Sequence, residues 1–456
     1  MEKSPITSLL HTDFYQLSMA WAYMLTDNKA NDITGFEAYC RDIKDHISSR
    51  GFYVFKGEET VRDFISSITK EIRTPKFRDR FISLVHPKVK SELWKAQKKE
   101  VLKKWDNLSK EFEFEVYPDG VKVVPFAPVF QFRGPRWIGQ LLETPILNLI
   151  NGATGLNTQN VLNGENPDRN LALKSIVYPE QNSDDLYMNA HIAFQTELGN
   201  RAKEYRESTK AILLEAGLRR APGFSSAMFA SGEALLNGWD GTSNVATIDI
   251  FDASPSKVGG TMAHAFVMSF ESELESFRAW DEVFPGSTIL IDTYDVTRAA
   301  EMLVKYNIKP NDVRIDSDPL DEYAIEVRAI FDSAGWNDVG IFISGDLTPE
   351  VLRDYEDRGV PFTKCMAGSK YLNNGWGNDC NCGFVYKIVE YINENGNRVL
   401  PVKLSTGKRS YPGLKRFDNV AGEIQVSIGD GTGLDMSALR NQVTLDTPME
   451  LVTENK

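Results

Sequence analysis

Histidine and cysteine are scarce in this chain of 456 residues, which holds 5 His and 4 Cys. Cys40, Cys365, Cys380 and Cys382 are too few and too unevenly spaced for a disulfide framework or a four-ligand zinc site. Reduced thiols are expected, the Cys380-Asn381-Cys382 pair included. A basic excess is also missing: 51 Lys and Arg stand against 64 Asp and Glu, a formal net charge of −13. That balance argues against general binding to nucleic acid or to an anionic membrane surface, both of which want a basic face. An anionic small-molecule substrate would need a locally basic pocket. No apolar run of the roughly 18 residues needed to span a bilayer occurs, and Met1-Glu2-Lys3-Ser4-Pro5 lacks the apolar core of a signal peptide. A cytoplasmic location is the expectation. Internal repeats and low-complexity tracts are absent as well.

What is present is ordinary globular material, 42% hydrophobic and 25% charged, enough for a large core. The length suggests two domains at roughly 150 residues or more each. Apolar residues recur at helical spacing from Thr7 to Thr26, and Ile33 to Cys40 alternates as a strand does. Residues 57 to 113 read as charged amphipathic helices, and Lys95, Lys98, Lys99, Lys103 and Lys104 read as a solvated helix face. Three short strands follow at Phe112–Tyr117, Val121–Pro125 and Val129–Gly134, separated by Pro, Asp and Gly turns and suggestive of one antiparallel sheet.

From Arg136 onward, helices alternate with short apolar strands, at Ser287–Asp292, Asp312–Asp316 and Val339–Gly345. That is the pattern of βα units around a parallel sheet or barrel, where chemistry gathers at the carboxyl ends of strands. Asp292, Arg314, Asp316 and Ser344 fall at or beside such ends. Residues 152 to 185, rich in Asn, Gly and Asp, read as a loop or insertion. Alternation returns at Phe384–Glu390 with a hairpin signal at Asn393–Asn397, so the C-terminal segment could rejoin the N-terminal sheet.

One histidine, His264, lies among small residues in Gly260-Thr261-Met262-Ala263-His264-Ala265-Phe266, in the same region as Gly217-Leu218-Arg219-Arg220, Trp239–Asn244 and Val313–Ser317. Arginines and backbone N–H groups in glycine turns suit phosphate and carboxylate, aspartates suit a hydroxyl or a Mg2+ shell, and imidazole can take up a charged group near neutral pH.

These segments, in order with Thr12-Asp13-Phe14-Tyr15-Gln16-Leu17, Gln140–Thr144, Asn148–Asn151, Gly241–Val245, Asp292–Asp295 and Lys403-Leu404-Ser405, resemble the nicotinate phosphoribosyltransferase family over most of the chain. The resemblance implies an α/β fold: an irregular α/β barrel of the type II phosphoribosyltransferase kind over residues 136–383, and an α+β sheet domain of residues 1–135 joined by 384–456. It implies condensation of nicotinate with 5-phosphoribosyl 1-diphosphate, with Mg2+ and with ATP as co-substrate through phosphorylation of His264. Catalytic roles fall to His264, Asp316 and Arg314. Tyr15 would stack on the pyridine ring, Arg314 would hold its carboxylate, and Arg219 would be a second cation near substrate. Thr242, Ser243 and Asp292 complete the substrate contacts, with Asp292 and Asp316 near the ribose hydroxyls and the Mg2+-diphosphate. Two glycine turns, at Ser344-Gly345 and Gly368-Ser369, would cradle the 5′-phosphate on backbone N–H groups. Family members commonly form dimers with shared sites, so a homodimer is expected, with Tyr15 serving the neighbouring subunit.

Three departures stand out. Asp316-Ser317-Asp318-Pro319-Leu320 carries proline in place of the family's glycine, removing a backbone donor from the loop. Met366-Ala367-Gly368-Ser369 has fewer glycines than the family's usual turn, and Ser344-Gly345-Asp346 replaces a Ser-Asn-Asp form. The Asp-Pro-Leu variant is similar to nicotinamide phosphoribosyltransferases. Two alternatives therefore stay open: an enzyme for nicotinamide, and a catalytically silent nucleotide-binding relative.

Overall fold

A computed structural model describes residues 6–26, 29–163, 173–174, 176–177, 185–373, 380–403, 410–421, 423–436, 439 and 449–451. Met1–Pro5 and Leu404-Ser405 lie outside the described residues.

The first helix, α1 (Phe14–Leu25), is buried on nearly every side. It begins at Phe14, not at Thr7, and Asp13 precedes it in an extended conformation. The Asp13 carboxylate does not cap the helix. It accepts from Ser243 Oγ at 2.5 Å and Thr144 Oγ1 at 2.7 Å, so the start of α1 is tied to segments distant in sequence. The charged stretch forms α2 (Glu58–Glu71), α3 (Pro75–Val85) and α4 (Ser91–Trp105). On α4, Lys95, Lys98, Lys99 and Lys103 are exposed, while Val101 and Trp105 turn inward.

Five antiparallel strands form one sheet in the order β13 (Arg398–Val399), β12 (Val385–Ile392), β1 (Ile33–Tyr39), β5 (Phe130–Pro135) and β3 (Glu113–Val116). Strands from both chain ends thus share one sheet, and Phe36 stacks on Tyr386 across the β1–β12 pair at 5.1 Å. The expectation that all three short strands share one antiparallel sheet is corrected: β4 (Lys122–Val123) leaves this sheet to pair with β2 (Tyr53–Val54). The Asn393–Asn397 turn closes as read, with Asn393 N donating to Asn397 O at 2.9 Å.

Helix α5 (Arg136–Asn163) runs between this sheet and the barrel and is buried through most of its length. A helix apolar on all sides belongs in an interior. It corrects the expected loop at 152–185, since residues 152–163 are helical, as are 173–174 and 176–177. The remainder up to 184 lies outside the described residues.

Six parallel strands make the second sheet, in the order β7 (Gly241–Thr242), β6 (Ile212–Glu215), β11 (Lys364–Ala367), β10 (Gly340–Ser344), β9 (Asp312–Ile315) and β8 (Ile289–Leu290). Read around a circle, this is sequence order with one seam, between β7 and β8. Along the other edge of β7 runs the segment that leads to His264: Val258 bridges Thr242 in parallel, and Gly259 N donates to Thr242 O at 3.0 Å. A small third sheet, β14 (Lys415–Val420), β15 (Glu423–Ile428) and β16 (Met449–Leu451), docks through Lys415, whose Nζ lies 2.7 Å from the buried Glu37 on β1. No helix among the described residues is long and apolar enough to cross a membrane.

Candidate active site

Two adjoining cavities, of about 290 and 650 Å3, open at the carboxyl ends of the barrel strands and share Arg41, Arg219, Arg220 and Asp316 in their walls. Eight lysines and arginines line the first against four carboxylates, the local basic pocket that an acidic protein needs for an anionic substrate. Tyr15, Arg219, Thr242, Ser243, His264, Arg314 and Asp316 all line this first cavity. The two glycine turns, Ser344-Gly345 and Gly368-Ser369, line the second. Asp292 lies behind His264.

His264 is the first residue of a one-turn helix, held by Gly260 four residues earlier. A Cβ on Gly260 would sit 2.4 Å from Tyr15 N, so glycine is what lets the segment lie on the first turn of α1. The imidazole is nearly buried. Lys403 Nζ, which can only donate, reaches His264 Nε2 at 2.8 Å, so Nδ1 carries the proton and donates to Thr293 Oγ1 at 3.1 Å. Burial pushes the imidazole pKa down to about 4, with the Asp292 charge opposing the shift. The ring is therefore neutral at neutral pH.

Three groups converge there: one ligand atom from each of His264, Asp292 and Asp316 lies within 4.8 Å of the others. Asp292 is fully buried. Its Oδ2 accepts from Ser317 Oγ at 2.5 Å, and its Oδ1 has no hydrogen-bond partner among the described residues. Asp316 Oδ1 accepts from Ser344 Oγ at 2.6 Å, and that hydroxyl accepts from Arg314 Nη1 at 3.2 Å. Arg314 also donates from Nη2 to Met262 O at 3.0 Å, while its buried Nε has no hydrogen-bond partner among the described residues.

Tyr15 and Arg219 form a unit. Arg219 Nη1 donates to Tyr15 Oη at 3.0 Å and to Glu143 Oε1 at 2.8 Å, with the guanidinium 5.6 Å from the tyrosine ring centre. Glu143 Oε2 accepts from Gln16 Nε2 at 2.7 Å. Tyr15 lines the cavity of its own chain. The hydroxyls of Thr242 and Ser243 are already engaged by carboxylates, Glu215 and Asp13 respectively, each at 2.5 Å. Glu215 also accepts from Ser231 Oγ at 2.8 Å and Gly217 N at 2.5 Å, and burial pushes its carboxyl up to about 7.

In the second cavity, Gly345 has φ of 150°, in the region that favours glycine, and a Cβ on Gly368 would meet Ala216 O at 2.5 Å. Both glycines are structurally required where they stand. Pro319 precedes the helix Leu320–Ser333 as its N-cap residue, so the proline that departs from the family loop serves to start a helix.

Sequence reading missed Glu143, Glu215, Lys387 and Lys403 as wall residues. Lys403 and Glu143 fall inside segments that carry the resemblance, yet nothing local marks a single lysine or glutamate as a site residue. The cysteines are buried free thiols, and among the described residues the His264 group is the one cluster fit for a metal.

No family model matches the chain. A nicotinate phosphoribosyltransferase of Bacillus subtilis is 25% identical over 419 residues, covering 89% of this chain and 72% of that protein. One of Mycobacterium tuberculosis is 24% identical over 425 residues, covering 89% and 74%. Among solved structures, a nicotinate phosphoribosyltransferase of Porphyromonas gingivalis superposes with a TM-score of 0.62 at 17% identity, over 89% of this chain and 96% of that one. Another, from Vibrio cholerae, gives 0.57 at 17% identity over 88% and 89%. Over most of its length the chain is thus similar to nicotinate phosphoribosyltransferases. The structural likeness is one of fold.

Proposed function

We propose that the protein joins nicotinate to 5-phosphoribosyl 1-diphosphate, forming nicotinate mononucleotide and diphosphate with hydrolysis of ATP. The observation that carries this reading is the pairing in the wall of one basic cavity of an aromatic platform, Tyr15, with an arginine, Arg314. A flat ring bearing a carboxylate needs both. The planar guanidinium also favours a carboxylate over the neutral amide of nicotinamide.

Tyr15 would stack on the ring, and Arg219, tethered to Glu143, would fix the tyrosine. Backbone groups at Thr242 and Ser243 would border the substrate, since their hydroxyls are engaged elsewhere. The N–H groups around Ser344-Gly345 and Gly368-Ser369 would receive the 5′-phosphate. Asp316, oriented by Ser344, would face the ribose. As the bond from C1 to diphosphate loosens, the positioned pyridine nitrogen attacks, and the surrounding cations stabilise the departing charge. A neutral His264 is a competent phosphoryl acceptor, which supports the role of ATP. Asp292 and Asp316 would hold Mg2+, for which the unpartnered Oδ1 of Asp292 is a suitable hard ligand; the ion would offset charge on the diphosphate.

The division of the chain into residues 1–135 with 384–456, and 136–383, is part of the same proposal, as are a homodimer and a cytoplasmic location. The test is product formation by purified protein with Mg2+, phosphoribosyl diphosphate and either nicotinate or nicotinamide, with and without ATP. Nicotinate mononucleotide formed with ATP stimulation is expected, and the stimulation should vanish in His264→Ala. Product from nicotinamide alone would give the reaction to that substrate, and none from either would leave a silent ligand-binding relative.

A further inference from the structure

Lys387, in the middle of β12, lines the first cavity, and its side chain makes no hydrogen bond or ion pair among the described residues. Its cross-strand neighbour on β1 is a carboxylate, Glu37, but that group is taken: Glu37 accepts from Lys415 Nζ at 2.7 Å, from Lys415 N at 2.7 Å and from Gln131 Nε2 at 2.8 Å. The charged groups that face Lys387 are Arg41, Arg219 and Lys403, all cations, and one carboxylate, Glu143, which is itself paired with Arg219. An ammonium set among three other cations with no partner serves no purpose in holding the fold, because it adds repulsion and desolvation and gains no ion pair. The arrangement becomes favourable when a multiply charged anion enters.

We infer that Lys387 is an anion-binding residue of this site, completing with Arg41 and Lys403 a cluster that holds a condensed phosphate. The chemistry is that of a di- or triphosphate chain, which either the sugar diphosphate or ATP could bring. The inference rests on the reading that such substrates enter here. Burial first, and then the Arg41 charge, hold the Lys387 ammonium well below its ordinary pKa. An arriving anion restores it, so binding takes up a proton.

The test uses inorganic diphosphate, titrated calorimetrically at pH 8 into the full chain in two buffers of different ionisation enthalpy. Wild type should bind with net proton uptake. Lys387→Met, which keeps the length and removes the charge, should weaken binding tenfold or more and lower the uptake, while Lys387→Arg should retain affinity to within a few fold. Unchanged binding and uptake in Lys387→Met would overturn the inference, as would equal loss in both variants, because volume and not charge would then matter. Steady-state kinetics separates the two sources: a raised KM for phosphoribosyl diphosphate alone assigns the cluster to the sugar diphosphate, and a raised KM for ATP alone assigns it to the nucleotide. Wild-type protein that binds diphosphate through Lys387 yet forms no nicotinate mononucleotide would sink the proposed reaction and leave this binding role standing.

Discussion

Single side chains in this site are defined by what already holds them. Arg314 is anchored by Ser344 Oγ and Met262 O, and a lysine in its place would offer a point charge without the fork. Arg314→Lys is expected to raise KM for nicotinate roughly tenfold or more with a smaller change in kcat, read from initial rates. His264 makes a pH prediction whose sign follows from its depressed pKa. The unfolded imidazole takes a proton near its ordinary value of 6.5 and the folded one only near about 4. Its contribution to stability is therefore complete above about pH 6.5 and is lost as pH falls toward 4, by about 3 kcal/mol in all. His264→Asn should lose less stability than wild type over that interval in denaturant titrations, and equal losses would show that the ring does not titrate this way.

The elements carry constraints of their own. The His264 segment lies against α1 through Gly260, where a Cβ has no room beside Tyr15 N. Gly260→Ala is expected to destabilise by about 1–3 kcal/mol, measured by chemical denaturation, and to lower turnover by separating Tyr15 from His264. Much at this scale was legible in the sequence. Three of the six barrel strands, β8, β9 and β10, announce themselves as apolar runs bounded by polar residues or glycine, and β9 and β10 begin and end within a residue or two of expectation. What was not legible is pairing across long separations. Nothing near Lys122 says that β4 abandons its sequence neighbours for β2, and the Asn-rich composition after Gly152 hid a helix that is buried by contacts made elsewhere. The site shows the same limit. Tyr15, Arg219, His264 and Arg314 stand in recognisable segments, whereas the engagement of Thr242 and Ser243 by Glu215 and Asp13 depends on carboxylates up to 230 positions away.

At the scale of the whole molecule, the buried Glu37–Lys415 pair fastens the C-terminal sheet to the first strand. Lys415→Ala should cost about 3–5 kcal/mol in thermal or denaturant unfolding, because Glu37 would stay buried without its counter-ion. Restoring most of that stability with Glu37→Gln in the same chain is the expected check on the cause. The contact between Lys403 and His264 bears on how the enzyme comes into being. Tyr15 leaves the ribosome early, but the ammonium that orients the His264 imidazole lies about 390 residues after Tyr15, and at roughly 5–20 residues per second the gap is on the order of 20–80 s. During that interval the strand that will lie beside β1 does not yet exist, and β1 presents an unpaired edge. A ribosome-bound nascent chain stopped short of Lys403 should hold a partly folded barrel and no activity, so competence arrives late in synthesis and all at once.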